Sequence, residues 1–181
     1  IASVTQVASP IKSFENEHDA GAILSWAEKE FGAGLVLTCS FETAVMPHLV
    51  SQLAPSATVV LIDTQYLFPE TIAFSELVCS RFDLQLHAQR TADEVIPDEL
   101  WRVDVDKCCD LRKVQPLEQA LNGKSAWITG LRRSDGLERA NVPVVSRDLM
   151  RNITKINPLA LWTEEDVQTY IKDNDLPRNP L

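Results

Sequence analysis

Two adjacent cysteines, Cys108 and Cys109, lie in the run KCCDLRKVQPL (107–117), with Arg112 and Lys113 just downstream. Neighbouring residues rarely bond to each other, because a disulfide wants its Cα atoms farther apart than adjacent positions allow. Nearby cations favour the thiolate, the form that acts as ligand and nucleophile. The pattern therefore points to a metal, a cluster or a reactive partner, against the plainer alternative of two small buried hydrophobes. Cys39 and Cys79 lie in apolar stretches without metal-ligand spacing and read as buried thiols. Four cysteines in a chain of 181 residues do not make a disulfide scaffold. A zinc site completed by His48 or His87 is a weaker alternative, since both histidines are remote in sequence from the pair.

A second set of residues suits anions. Gly130 is followed by LRRSDGLERA (131–140), which carries Arg132, Arg133 and Arg139. Guanidinium groups donate paired hydrogen bonds that match phosphate or sulfate. Ser40, Phe41, Glu42 and Thr43 follow an apolar run and enter a helix-forming stretch. Their hydroxyls and amides can hold an anion, or simply cap the helix. Asp63, Thr64 and Gln65 follow a second apolar run, where an acid can hold ribose hydroxyls or cap the loop. The net charge of −9 argues against general nucleic-acid binding, but it conceals an asymmetry. Between Arg102 and Lys155, eleven Lys and Arg face seven Asp and Glu, whereas the remainder has six against nineteen. A basic segment in an acidic chain fits a small phosphorylated ligand better than a polymer.

The elements that must position these residues alternate. An amphipathic helix is expected over 13–32, with Ala22, Ile23, Trp26 and Phe31 on one side and Gly32 as a stop. LVLTC (35–39) and TVVLID (58–63) read as short strands buried on both faces, with a helix over 42–53 between them in which Pro47 must sit early. Pro69 opens a helix to about Phe82, and LQLHAQ (84–89) is a third strand. A polar acidic loop runs to about Asp106. The cysteine pair then begins a helix to about Leu121, bent near Pro116. SAWITG (125–130) is a fourth strand and ITKINPL (153–159) a fifth. Thr163 and Asp166 form a capping box for a last helix over 164–174. Helices alternating with buried strands predict an α/β domain, a mainly parallel sheet in three layers flanked by helices. In such sheets ligands bind beyond the carboxyl ends of the strands, near the switch in strand order.

The length suits one domain, 1–181. No apolar run approaches membrane-spanning length and no signal-peptide pattern opens the chain, so no membrane is expected and the cytoplasm is the default. Ile1 is not an initiator methionine and Leu181 follows a Pro-Arg-Asn-Pro turn signal, so both ends read as cut. Oligomeric state stays open, a homo-oligomer included.

Five motifs taken together carry a family resemblance: LTCSFETAV (37–45), LIDTQYLFPET (61–71), KCCDLRKVQPL (107–117), AWITGLRRSDGLERA (126–140) and INPLALWTEEDVQTYI (156–171). They are similar, in order, to the adenylyl-sulfate reductase family of assimilatory sulfate reduction, within the adenine nucleotide α-hydrolase-like folds. The resemblance implies reduction of adenosine 5′-phosphosulfate to sulfite and AMP. A cysteine attacks the sulfur, AMP leaves, and thioredoxin reduces the thiosulfonate. It places Ser40 and the following loop, with Phe41 and Thr43, at the phosphosulfate, and Asp63 with Thr64 near the nucleoside. By the same resemblance Lys113 would lie between cluster and substrate, and Arg132, Arg133 and Arg139, behind Gly130, would neutralise the anionic groups. It assigns Cys108 and Cys109 to a [4Fe-4S] cluster completed by a later Cys-x-x-Cys pair. The tandem pair favours the unphosphorylated substrate over 3′-phosphoadenosine 5′-phosphosulfate.

The chain departs from that pattern in three places. It contains no Cys-x-x-Cys and no Glu-Cys-Gly-Leu-His tail, so the catalytic segment is expected beyond Leu181 and no nucleophile is assignable within the sequence. Phe41, Glu42 and Thr43 replace the glycine pair of the first phosphate loop. Gln65 stands where glycine often follows Asp-Thr. Two alternatives remain: reduction of the 3′-phosphorylated nucleotide on the same fold, and a non-catalytic nucleotide-binding module ending at Leu181.

Overall fold

The computed structural model describes residues 14–91 and 98–181. Six strands form one sheet: β1 (Leu35–Thr38), β2 (Thr58–Ile62), β3 (Leu86–Gln89), β4 (Ala126–Ile128), β5 (Val145–Asp148) and β6 (Ile153–Ile156). Their order is β3-β2-β1-β4-β6-β5, parallel except for the β5–β6 pair. The helices are α1 (Ala20–Phe31), α2 (Val45–Leu53), α3 (Pro69–Arg81), α4 (Leu100–Val103), α5 (Val105–Cys109), α6 (Gln115–Leu121) and α7 (Glu164–Asp173). The mainly parallel α/β sheet expected from the sequence is therefore present.

The apolar runs explain the layers. Successive strand residues point to opposite faces. Leu35, Leu37, Val59, Leu61, Ala126 and Ile128 enter the main core, where α1, α2, α3 and α7 add Ile23, Leu24, Val50, Phe74, Val78, Val167 and Ile171. Val36, Val60 and Ile153 turn to the other face, under Leu121 of α6. Each such Leu, Ile or Val contributes about 1.5–3 kcal/mol by leaving water. Strand order reverses between β1 and β4, whose register pairs Leu37 with Ile128. The carboxyl ends of these two central strands thus border the crevice that the topology leaves open.

Local chemistry sets the boundaries. Asp19 starts α1, because its Oδ1 accepts the Gly21 and Ala22 N–H groups at 2.8 and 3.2 Å. The helix thus begins well after position 13, which itself lies outside the described residues. Pro47 falls in the first turn of α2, where its missing donor costs nothing. Leu84 does not join β3. Asp83 turns left-handed at φ 53°, and the Leu84 N–H closes α3 on the Cys79 carbonyl at 2.9 Å. The Thr163–Asp166 capping box forms as read, with Asp166 N–H to Thr163 Oγ1 at 3.2 Å and Thr163 N–H to Asp166 Oδ2 at 2.7 Å.

Two readings need correction. The cysteine pair closes a helix instead of opening one: Asp104 caps α5 by accepting the Lys107 N–H at 2.9 Å, and Cys108 and Cys109 end it. A π turn over Asp110–Val114 follows before α6 begins. Pro116 supplies the reason, since it has no N–H for the Arg112 carbonyl and its ring crowds that oxygen, so the turn widens. The antiparallel edge strand β5 was also missed. Of its four residues VSRD only Val145 is buried, so it carries no apolar run to announce it.

Candidate active site

Three loops and one helix end meet the requirements set by the topology. After β1, the Cys39 N–H continues the ladder to Val60 at 3.0 Å, and Phe41 then turns left-handed at φ 57°. The Phe41 ring is fully buried, so this residue presents its backbone, not its side chain, to the loop. Its N–H reaches Cys39 Sγ at 3.3 Å and its carbonyl accepts from Asn179 Nδ2 at 3.0 Å. Thr43 pairs in a bridge with Arg178, and its hydroxyl accepts the Val45 N–H at 3.4 Å. The final residues of the sequence therefore run along the β1 loop. Ser40 and Glu42 are exposed on it.

After β2, the Asp63 N–H extends the ladder to Gln89 at 2.8 Å, and Asp63 Oδ1 accepts the Gln65 N–H at 2.8 Å. Thr64 Oγ1 accepts the Tyr66 N–H at 3.3 Å. Both side chains are thus partly used in shaping their own turn, the capping role that the sequence left open for Asp63. After β4, Gly130 lies against α2: a Cβ there would stand 3.4 Å from Met46 Cγ. The β1 and β4 loops are consequently neighbours at the switch point.

The three arginines of 131–140 are not loose cations. Arg132 Nε bonds Asp135 Oδ1 at 2.9 Å and its Nη1 bonds Glu164 Oε2 at 2.9 Å. Arg139 also faces Asp135, at 3.7 Å, and Arg133 Nε donates to the Val142 carbonyl at 2.9 Å. Hydrogen bonds from Gln168 and then Arg132 hold the Glu164 carboxyl below its usual range. This network organises the loop, but it also offsets part of the positive charge counted along the sequence.

Thr64, Lys113, Cys108 and Cys109 come together. With Tyr66, Trp101, Val105 and Arg112 they line a mostly apolar cavity of about 470 Å³ at the mouth of the β2 loop. Cys109 is exposed and Cys108 half-buried. The other two thiols are unsuited to chemistry at neutral pH. Burial pushes Cys39 up to about 12 and Cys79 up to about 11, so both stay protonated. A second cavity, of about 420 Å³, is lined by Leu121, Lys124, Arg151 and Ile153, at the amino ends of β4 and β6, away from the switch-point crevice.

Cys108 and Cys109 fit an iron–sulfur cluster in kind, as two thiols on a water-accessible helix end facing an apolar pocket. They do not fit it in number. Among the described residues no group of three or more His, Cys, Asp or Glu could hold a metal ion. The zinc alternative fares no better, because His48 Nδ1 lies 2.8 Å from the Tyr170 hydroxyl and its ring packs on Phe82.

The sequence reading underrated Arg112, which is 1% exposed. It reaches Gln65 and Asp98 and lies over the Tyr66 ring. A hydrogen bond from the Leu100 N–H, followed by those from Arg112 and Tyr66, holds the Asp98 carboxyl below its usual range. Arg112 stands one helical turn after Cys108, a spacing visible in the sequence, but its burial was not. Tyr66 and Trp101 carried no such signal.

Comparison with known proteins agrees with this geometry. The chain is 44% identical over 165 residues to adenosine 5′-phosphosulfate reductase of Streptomyces coelicolor, covering 88% of this chain and 70% of that one. The crystal structure of phosphoadenylyl-sulfate (PAPS) reductase from Candida auris in a phosphate complex superposes with a TM-score of 0.82 at 27% identity, over 99% of this chain and 90% of that one. Candida glabrata FMN adenylyltransferase shares the fold at TM-score 0.63 and 13% identity, over 99% of this chain and 62% of that one. The adenine nucleotide α-hydrolase-like architecture is thereby shown. With the phosphoadenosine phosphosulfate reductase domain matched across residues 34–181, this chain belongs to that family.

Proposed function

We propose that the chain is the nucleotide-binding body of an adenosine 5′-phosphosulfate reductase, which forms sulfite and AMP in sulfate assimilation with thioredoxin as reductant. The observation that carries this reading is the tandem cysteine pair opening onto the cavity beside Thr64 and Lys113. The Streptomyces coelicolor relative, named for the unphosphorylated nucleotide, supports the choice of substrate.

In this reading the nucleotide lies across the carboxyl ends of β1, β2 and β4. The β1 loop, with Ser40, Thr43 and the Phe41 backbone, receives the phosphosulfate, and the Asp63–Thr64 turn receives the nucleoside. Lys113 and the loop of Arg132, Arg133 and Arg139 balance negative charge as it builds on the departing phosphate, and a loop already tied to Asp135 and Glu164 needs little reorganisation. A cysteine thiolate attacks the sulfur, the S–O bond to phosphate breaks, and AMP departs with that electron pair. The dithiol of thioredoxin then supplies two electrons, releasing sulfite and regenerating the cysteine while its own pair becomes a disulfide. Neither Cys39 nor Cys79 suits that attack, and the resemblance gives the nucleophile to a Glu-Cys-Gly-Leu-His motif that these 181 residues do not contain. Cys108 and Cys109 would hold two positions of a [4Fe-4S] cluster, and a Cys-x-x-Cys pair of the family type, which these 181 residues do not contain, would hold the other two. When bound, such a cluster holds both sulfurs as thiolates and sets the electrostatic field at the cavity mouth. Four free thiols and a dithiol reductant suit the reducing cytoplasm. No helix among the described residues is long and apolar enough to cross a membrane.

Competition calorimetry tests the substrate. Adenosine 5′-phosphosulfate is expected to bind at least about tenfold more tightly than its 3′-phosphorylated form, a difference of about 1.4 kcal/mol. Equal or reversed preference would favour the 3′-phosphorylated nucleotide. In the protein extended by a Cys-x-x-Cys and a terminal cysteine, the Cys108→Ser/Cys109→Ser variant should lose both iron–sulfur absorbance and sulfite release. Activity retained without iron would separate the cluster from the reaction, and iron retained would overturn Cys108 and Cys109 as its ligands.

A further inference from the structure

Gln65 lies at φ 66°, in the left-handed region that few side chains adopt. Glycine would meet this backbone demand without strain, and a non-glycine persists there when its surroundings fix it. Here the fixing group is visible. Gln65 Oε1 accepts a hydrogen bond from Arg112 Nη1. The same guanidinium donates through Nη2 to Asp98 Oδ1 at 3.3 Å and lies 4.9 Å from the centre of the Tyr66 ring. The Tyr66 hydroxyl donates to the Asp98 carbonyl and accepts the Asp98 N–H at 2.9 Å. Asp98 Oδ1 in turn accepts the Leu100 N–H at 3.1 Å, at the start of α4. One buried cation thus joins the β2 loop, the entry to α4 and the π turn that immediately follows Cys109. That turn has the widened hydrogen bonding forced by Pro116, so its own ladder is a weak guide to where the helix end stands.

We propose that Gln65 and Arg112 form a positioning latch that registers the Cys108–Cys109 helix end against the Thr64 turn. Neither residue touches reacting atoms in this role. The latch rests on reading the cavity as the site beside the nucleotide loop, and it adds a dependence: the placement of both thiols and Lys113 relative to Thr64 follows from the side chain at position 65. A short or absent side chain there removes the direct hydrogen bond from Arg112 to the β2 loop and leaves the stacking on Tyr66 to hold the two together.

Hydrogen exchange of the full chain, read by mass spectrometry, tests the latch. Gln65→Asn accepts the left-handed conformation but is one methylene too short to reach Arg112, whereas Gln65→Glu keeps the reach and the acceptor. Exchange over 105–114 is expected to accelerate about tenfold or more in Q65N, the factor carried by one hydrogen bond to a charged group. It should stay near the wild-type rate in Q65E, and Pro69–Arg81 of α3 should be unchanged in both. Wild-type exchange over 105–114 in Q65N would overturn the proposal, as would an acceleration spread equally through α3, which marks general destabilisation. A wild-type chain that fails to bind AMP in calorimetry overturns the nucleotide reading alone, because the contrast between Q65N and Q65E decides the latch with no nucleotide present.

Discussion

Phe41 combines two properties that rarely coincide, and the pair yields a quantitative prediction. Its ring is wholly buried while its backbone sits at φ 57°. Phe41→Ala deletes the ring at a cost of about 3–5 kcal/mol, yet leaves a Cβ in the left-handed region, where an L-residue bears about 1–2 kcal/mol of strain. Phe41→Gly deletes the ring and relieves the strain. Against that relief stands the greater freedom of glycine in the unfolded chain, about 0.5–1 kcal/mol. The two variants should therefore fall within about 0.5 kcal/mol of each other, or favour glycine. Leu49 in α2 is the control: it is buried in a regular helix, where glycine should lie about 1 kcal/mol below alanine. Urea unfolding of the four variants gives the comparison, provided that midpoints shift and slopes do not. A glycine penalty of the same size at positions 41 and 49 would refute the reasoning, and with it the claim that Phe41 anchors the anion loop by its ring while straining its backbone.

Thr163→Ala removes the side-chain acceptor of the α7 capping box and should cost about 1 kcal/mol in thermal or urea unfolding, with Thr163→Ser close to wild type. Arg132→Ala should move the Glu164 carboxyl up toward its ordinary range, read by NMR titration; an unmoved Glu164 would mean that the 2.9 Å contact is not formed in solution. Burial, then the charge of Arg81, lowers the His48 pKa below 6.5, so the unfolded chain takes up the proton first and stability should fall as pH drops through 6.5 toward the folded value. Equilibrium unfolding of His48→Gln should lack that step, and a step of wild-type size would assign it elsewhere. At the alkaline end the slope reverses, because there the folded chain holds its proton longer than the unfolded one. Cys39 ionises near 9.0 in the unfolded chain but only near 12 in the fold, so stability should decline as pH rises above 9, and Cys39→Ala should flatten that decline.

Much of the fold was legible because the strands are short apolar runs and the helices carry their own punctuation. Pro69 and Thr163 begin helices where the sequence placed them, since a missing donor and a capping hydroxyl act within a single turn. Misreadings arose where several residues decided together. The π turn is the joint product of Pro116 and the capped helix ahead of it, and β5 exists because its polar residues find Ile153–Ile156 as a partner. Of the candidate site, the cysteine pair, Thr64 and Lys113 were legible from type and spacing, and they do share one cavity. The arginines were legible as charges but not as members of an ion-pair network.

By itself the sequence determined the donor chemistry: a tandem thiol pair with cations at its side, a hydroxyl loop after one strand, an acid after another and a basic segment in an acidic chain. These follow from residue type and nearest-neighbour spacing, which no fold alters. Tertiary structure alone decided which groups are available to a ligand. Parallel pairing of β1 with β4 sets their loops side by side, burial withdraws the Phe41 ring and the Cys39 and Cys79 thiols from chemistry, and Asp135 and Glu164 engage Arg132. Packing also made Arg112, four residues beyond Cys108 and otherwise an ordinary surface residue by type, a buried cation between two loops. The reason is physical: availability depends on solvent access and on partners far along the chain, and both exist only once the sheet has closed around them.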